Sequence, residues 1–97
     1  MIKVLKKENV IEITGHSGYD IIGKDIVCSA VSSIVTTTIN GILSIDNDAL
    51  KYSYKNDAMT IEILKNDNVT DKLITNMLDL LKDLSKDYPK NIIVKEM

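Results

Sequence analysis

Alternating hydrophobic and polar residues near the start of the chain predict a β-hairpin. Ile2–Lys6 is a short run rich in strand-forming residues, and the polar residues 7–9 follow it as a turn. Val10–Thr14 then returns with its two isoleucines on one side of the strand.

A second hairpin is predicted from residue 50 onward. Leu50–Lys55 alternates apolar and polar residues, and Ala58–Leu64 returns with three apolar side chains on one face. Between them, Asn56 and Asp57 form a two-residue turn, because their side chains tolerate positive φ. Asn91–Glu96 supplies the last predicted strand.

Two segments have helical periodicity. In Val69–Tyr88, apolar residues recur every three or four positions, and Pro89, which lacks an N–H group, ends the helix. Asp25–Ile45 is ambiguous, because β-branched residues crowd positions 34–39 and disfavour a helix. The segment is too long for one strand, so a helix is predicted there as well.

The predicted order is therefore strand, strand, helix, strand, strand, helix, strand. This order is typical of an α+β fold, a two-layer sandwich in which two helices cover one face of a mostly antiparallel five-stranded sheet. The length predicts a single domain over residues 1–97.

Composition narrows the possible classes of function. Apolar residues make up 44% of the chain and the net charge is −2, with no basic stripe, so direct nucleic-acid binding is not expected. A single cysteine cannot form an internal disulfide, which favours a reducing, cytoplasmic location. No apolar run approaches the ~20 residues of a membrane span, so no membrane partner is expected.

The candidate chemistry lies where the first hairpin leads into the first helix. Residues 15–23 read Gly-His-Ser-Gly-Tyr-Asp-Ile-Ile-Gly and contain three of the four glycines, which make a loop easy to deform. The only histidine, His16, opens this segment, and the only cysteine, Cys28, lies in the first turn of the helix that follows. A thiol with an adjacent imidazole base is the minimum set for nucleophilic catalysis by cysteine.

The position of Cys28 supports that chemistry. If Asp25 is the N-cap, Cys28 is the third helical residue, where the partial positive charge of the helix start favours the thiolate. N–H groups of the same turn are candidate donors to an oxyanion. Asp25 or Asp20 could orient the imidazole, although Asp25 could equally do no more than cap the helix.

Structural alternatives exist for each of these residues. A lone cysteine in a helix is most often a small buried hydrophobe, and a lone histidine after a glycine is most often exposed. A zinc site would need ligands shared across a dimer. Tyr52 and Tyr54 share one face of their strand, where core packing is the favoured interpretation over a substrate groove. Ser32 lies one turn after Cys28 and could donate a hydrogen bond into a site there.

These motifs resemble the signature of the ribosomal-processing cysteine proteases, the Prp family. The resemblance is carried by Gly15-His16-Ser17-Gly18-Tyr19 and by the run from Gly23 through Asp25 and Cys28 to Ser32, and it continues at Asn40-Gly41. The family often has Ala where this chain has Ser17.

The resemblance implies catalytic roles for Cys28, His16, Asp25 and Ser32. It also implies a substrate-binding loop, formed by Gly15, Ser17, Gly18, Tyr19, Asp20 and Gly23.

The resemblance further implies the substrate and the partners. The family members are homodimers that remove the N-terminal extension of large-subunit ribosomal protein twenty-seven, without a metal or cofactor. Two other functions fit parts of the pattern. A non-catalytic ribosome-assembly module would need neither Cys28 nor the glycine loop, and a hydrolase of small molecules would need more pocket volume than so small a core provides.

Overall fold

The computed structural model describes residues 1–15 and 26–97. The elements are β1 (Ile2–Lys7), β2 (Val10–Thr14), α1 (Ile26–Ile45), β3 (Leu50–Lys55), β4 (Ala58–Ile63), α2 (Asn68–Asp87) and β5 (Ile92–Glu96). The predicted order is confirmed, and each predicted boundary lies within one residue of the observed one.

The five strands form one mixed sheet in the order β3-β4-β2-β1-β5. The pairs β1–β2, β2–β4 and β3–β4 are antiparallel, whereas β1 and β5 are parallel. The parallel pair arises because the chain crosses over through α2 before it enters β5 beside β1. The sheet is thus mostly antiparallel, as predicted, and β3 lies at one edge.

The turn predicted at Asn56 and Asp57 has the expected backbone. The two residues have φ angles of 53° and 63°, which is the paired positive φ of the hairpin turn favoured by Asn and Asp. In the first hairpin the positive φ, 54°, falls on Glu8. The turn at Asn56 and Asp57 fixes the register in which Tyr54 lies opposite Met59.

The hydrophobic core joins the two helices to one face of the sheet. α1 contributes Val27, Val31, Val35, Ile39 and Ile42, and α2 contributes Ile74, Met77, Leu78 and Leu81. The strands contribute Ile2, Val4, Ile11, Leu50, Met59, Ile61, Ile63 and Ile92.

Burial explains why α1 is a helix despite its β-branched residues. Five of its side chains are buried at intervals of three or four positions. Each buried aliphatic side chain contributes about 1.5–3 kcal/mol, against a propensity penalty of at most about 0.7 kcal/mol per residue. Packing against the sheet therefore outweighs local preference.

α1 also corrects one expectation from the sequence. Its 20 residues are long and apolar enough to cross a membrane by length and composition alone, although no such run was expected. The core helix of a globular protein passes the same test, and α1 supplies buried side chains to the core.

α2, in contrast, begins and ends on local signals. The Asp67 side chain accepts a hydrogen bond from the Thr70 N–H at 2.8 Å, which is the geometry of an N-cap. The Tyr88 N–H donates to the Leu84 carbonyl at 3.0 Å, and Pro89 follows.

Candidate active site

Cys28 is the third residue of α1. Its side chain is half-buried and packs against the hydrophobic core. The helix dipole places a partial positive charge at this N-terminal end of α1. The predicted position of the cysteine at a helix start is confirmed.

A small pocket opens beside this cysteine. Its volume is about 130 Å³, and it lies where α1 faces the ends of β1, β2 and the β3–β4 hairpin. Its lining residues are Ile2, Ile13, Gly15, Cys28, Val31, Ser32, Val35, Thr36, Tyr54, Asp57 and Met59. The pocket has an apolar floor from the core and polar groups around its rim.

Gly15 lines the pocket, and its backbone conformation requires a glycine at this position. Its φ is 82°, and a Cβ at this position would overlap the carbonyl oxygen of Met1. Only glycine fits such a conformation without strain. The first glycine of the motif is therefore required by the path of the chain as it leaves β2 and reaches the pocket.

Ser32 lies on the same face of α1 as Cys28, because residues four positions apart are neighbours on a helix. It is exposed, and it lines the pocket together with Cys28. Thr36, one further turn along, lines the same pocket. The helix thus carries a row of small polar side chains that leads away from the thiol.

The structure corrects the expectation that the two tyrosines of β3 belong to the core. Tyr52 is 47% exposed and Tyr54 is 70% exposed, and Tyr54 lines the pocket that contains Cys28. Alternation placed both rings on the inward face correctly. It could not show that β3 is an edge strand whose inward face extends past the helices.

Asp57 is a pocket residue that the sequence did not single out. It lies in the β3–β4 turn and is the one carboxylate among the described residues that line the pocket. In the sequence, Asp57 indicated only a hairpin turn, which its positive φ confirms, and nothing indicated that it would line a pocket. Its nearness to Cys28 comes from the pairing of strands far apart in sequence.

The remaining predicted site residues lie outside the described residues. These are His16, Ser17, Gly18, Tyr19, Asp20, Gly23 and Asp25, which all fall within positions 16–25. The described chain resumes at Ile26, two residues before Cys28. Their predicted roles therefore stay predictions.

The shifted pKa values lie away from the pocket. A hydrogen bond from Lys65 lowers the pKa of Asp46 and in turn raises the pKa of Lys65. A hydrogen bond to Glu96 raises the pKa of Lys82. Within residues 1–15 and 26–97, no three His, Cys, Asp or Glu side chains cluster closely enough to hold a metal ion.

A family model described as the cysteine protease Prp matches residues 1–93. No curated protein matches the chain significantly.

Several solved structures have the same fold. An essential ribosomal processing protease Prp from S. aureus, in complex with a covalently linked product peptide, superposes with a TM-score of 0.92 at 22% identity, covering 100% of both chains. The same protease with a substrate peptide gives 0.86 at 21% identity, again over 100% of both chains. A protein from Streptococcus mutans gives 0.76 at 24% identity, covering 99% of this chain and 91% of that one.

Proposed function

This chain belongs to the cysteine protease Prp family, and we propose that it removes the N-terminal extension of large-subunit ribosomal protein twenty-seven before that protein enters the ribosome. The pocket beside Cys28 is the single observation that carries this proposal, because it presents a thiol at a helix start to an open rim. The S. aureus protease that shares the fold was crystallised with substrate and product peptides, which supports a peptide as the substrate class.

The proposed chemistry is acyl transfer. His16 accepts the proton of the Cys28 thiol, and the resulting thiolate attacks the carbonyl carbon of the scissile peptide bond. N–H groups at the start of α1 stabilise the negative charge that forms on the carbonyl oxygen. The C–N bond then breaks, the amine leaves with the proton from His16, and a water molecule hydrolyses the thioester.

Sequence adjacency supports His16 as the base. Gly15 lines the pocket with its backbone, and His16 is the next residue along the chain. Asp25 is likewise the residue immediately before α1. We propose that one of the two carboxylates, Asp25 or Asp20, orients the imidazole, and that Ser32 donates a hydrogen bond into the site from the rim.

The pocket beside Cys28 is by itself too small to enclose a small-molecule substrate. A volume of about 130 Å³ is well below the roughly 300–1,000 Å³ of sites that enclose small molecules. A peptide needs only its scissile bond and nearby side chains to enter, while the rest lies along the surface. Together with the family membership, this favours an extended chain over a metabolite.

The family resemblance also supports a homodimer in the cytoplasm. The single cysteine and a ribosomal substrate are consistent with that location. Sedimentation of the purified protein would measure the oligomeric state directly.

The test is incubation of the protein with the unprocessed ribosomal protein, followed by intact-mass analysis. We expect a product lighter by the mass of the extension, and no such product with a Cys28→Ala variant. An unchanged substrate mass after prolonged incubation with folded native protein would refute the proposed function.

A further inference from the structure

A second depression continues from the pocket along α1. Its volume is about 200 Å³, and it is lined by Thr36, Ile39 and Asn40 of the helix and by Tyr52, Tyr54 and Met59 of β3 and β4. We call this surface the tyrosine shelf. Thr36, Tyr54 and Met59 also line the pocket that contains Cys28, so the two depressions form one groove.

The shelf exists because β3 extends past the helical layer. Tyr54 pairs with Met59 and Tyr52 with Ile61 in the antiparallel register. Met59 is 6% exposed and Ile61 is fully buried, yet the two tyrosines beside them remain open to solvent. One strand of the inward face is thus left as a floor, and α1 forms the wall beside it.

The dimensions of the groove suit an extended peptide. From Cys28 to Asn40 the helix advances about 18 Å, since each residue rises about 1.5 Å. An extended chain rises about 3.3 Å per residue, so about five residues span that distance. Tyr52 and Tyr54 are two positions apart, which is also the spacing of side chains on one side of an extended peptide.

The chemistry of the lining defines which residues fit. No charged side chain lines the shelf among the described residues, and the only carboxylate in the groove, Asp57, lies at the Cys28 end. Tyrosine rings present large apolar faces that favour apolar or aromatic side chains. The shelf therefore suits an uncharged, predominantly apolar segment.

We propose that the tyrosine shelf binds the substrate segment on one side of the scissile bond, in an extended conformation, with apolar side chains against Tyr52 and Tyr54. This inference rests on the proposed function, since it assumes a peptide at Cys28. Continuity with the pocket that contains Cys28 selects a substrate peptide as the occupant over a second copy of the chain.

The test separates binding from cleavage. A fluorescent peptide spanning the extension and the first residues of the mature ribosomal protein is titrated against the Cys28→Ala protein, which leaves it intact, and binding is followed by anisotropy. Adding Tyr52→Ser and Tyr54→Ser together should weaken binding at least about tenfold. The matched Tyr52→Phe and Tyr54→Phe pair keeps the rings and should bind within about twofold of the parent.

A third variant changes the wall of the shelf that α1 forms. It provides a second test in case the serine pair fails to fold. Asn40 is an exposed helical residue, so Asn40→Arg should preserve the helix while placing a large charged group over the shelf. We expect it to weaken peptide binding as strongly as the serine pair. In the cysteine-containing protein the same changes should raise KM more than they lower kcat, because Cys28 is untouched.

The outcomes distinguish the two proposals. If the native protein cleaves the precursor but the serine and arginine variants bind peptide as tightly as the parent, the shelf is overturned and the proposed function stands. If peptide binding depends on the tyrosines but no cleavage occurs, the shelf stands and the proposed function falls. If peptide binding does not depend on the tyrosines and no cleavage occurs, both the shelf and the proposed function are overturned. A serine pair that changes the sedimentation of the protein but not its peptide affinity would identify the shelf as an interface between copies and overturn the proposal.

Discussion

The two ends of α1 use their polar residues differently. At its C-terminal end, Asp46 accepts hydrogen bonds from the Asp48 N–H at 3.0 Å and from Lys65 Nζ at 2.9 Å. Close by, Asp67 caps α2. These carboxylates hold chain segments in place around a well-buried junction, in which Ala49 is fully buried.

At the N-terminal end, polar groups surround an opening. Ser32, Thr36 and Asp57 line the pocket beside Cys28, and Tyr54 stands largely exposed at its rim. The same helix thus has one end whose polar contacts stabilise the fold and another whose polar groups face a space that a substrate could fill. Substitution of the Cys28 side chain at the pocket and of the capping carboxylates at the other end should therefore separate activity from stability.

The largest expected effect is on activity at the pocket end. Cys28→Ala should lower the cleavage rate at least about 10³-fold, because no other side chain supplies the attacking atom. The melting temperature should change little, since the cysteine is only half-buried. Cleavage is followed by intact mass and unfolding by circular dichroism.

The exposed neighbour Ser29 provides the control. Ser29→Ala should cleave at the native rate. Measurable turnover by pure Cys28→Ala protein would remove Cys28 from the mechanism.

The second prediction compares glycines at the two ends. Gly15→Ala should lower the free energy of unfolding by about 1–3 kcal/mol, because alanine at φ 82° is strained and its Cβ overlaps the Met1 carbonyl. Gly41→Ala should raise it by about 0.5–1 kcal/mol, because Gly41 is helical and its Cβ would meet nothing within 4 Å. Urea denaturation measures both values.

We expect the two substitutions to change the free energy of unfolding in opposite directions. Equal destabilisation by the two substitutions would mean that Gly41 has a requirement other than helix propensity. A neutral Gly15→Ala would mean that the end of β2 relaxes away from Met1.

A third prediction concerns the cap of α2. Asp67→Ala should lower the free energy of unfolding by about 1 kcal/mol, because the Thr70 N–H loses its acceptor at the helix start. The cleavage rate below the melting temperature should stay at the native value, since Asp67 lies beside the C-terminal end of α1 and Cys28 lies in its first turn. Asp67→Asn retains a capping oxygen and should recover most of the lost stability. A loss of kcat in Asp67→Ala that accompanies the loss of stability would show that the two ends of α1 are coupled.

The smallest expected effect is a pH dependence at the same junction. The Lys65 hydrogen bond lowers the pKa of Asp46 below its ordinary value, so its stabilising contribution is complete above that ordinary value and is lost as the pH falls through the lowered one. Native protein and Asp46→Asn should therefore differ in melting temperature near neutral pH and converge as the pH falls below the lowered pKa of Asp46. A difference that persists at low pH would show that the contact acts through packing rather than charge.

Local sequence signals determined much of this protein. Alternation and turn chemistry predicted both hairpins, including the positive φ of Asn56 and Asp57, and α2 followed from its apolar period and Pro89. The Gly-His motif and the cysteine pattern around residues 15–32 identified the family. These features depend on residues that are neighbours along the chain, so they can be predicted from the sequence without knowledge of the tertiary structure.

Tertiary structure alone decided which distant residues meet at Cys28. The parallel position of β5, the edge position of β3 and the exposure of Tyr52 and Tyr54 follow from the order in which strands pair. Periodicity defines the faces of an element, but it does not show which face a neighbouring layer covers. α1 itself is a helix because burial against the sheet outweighs its β-branched composition, and that packing places Cys28, Ser32, Tyr54 and Asp57 around one pocket.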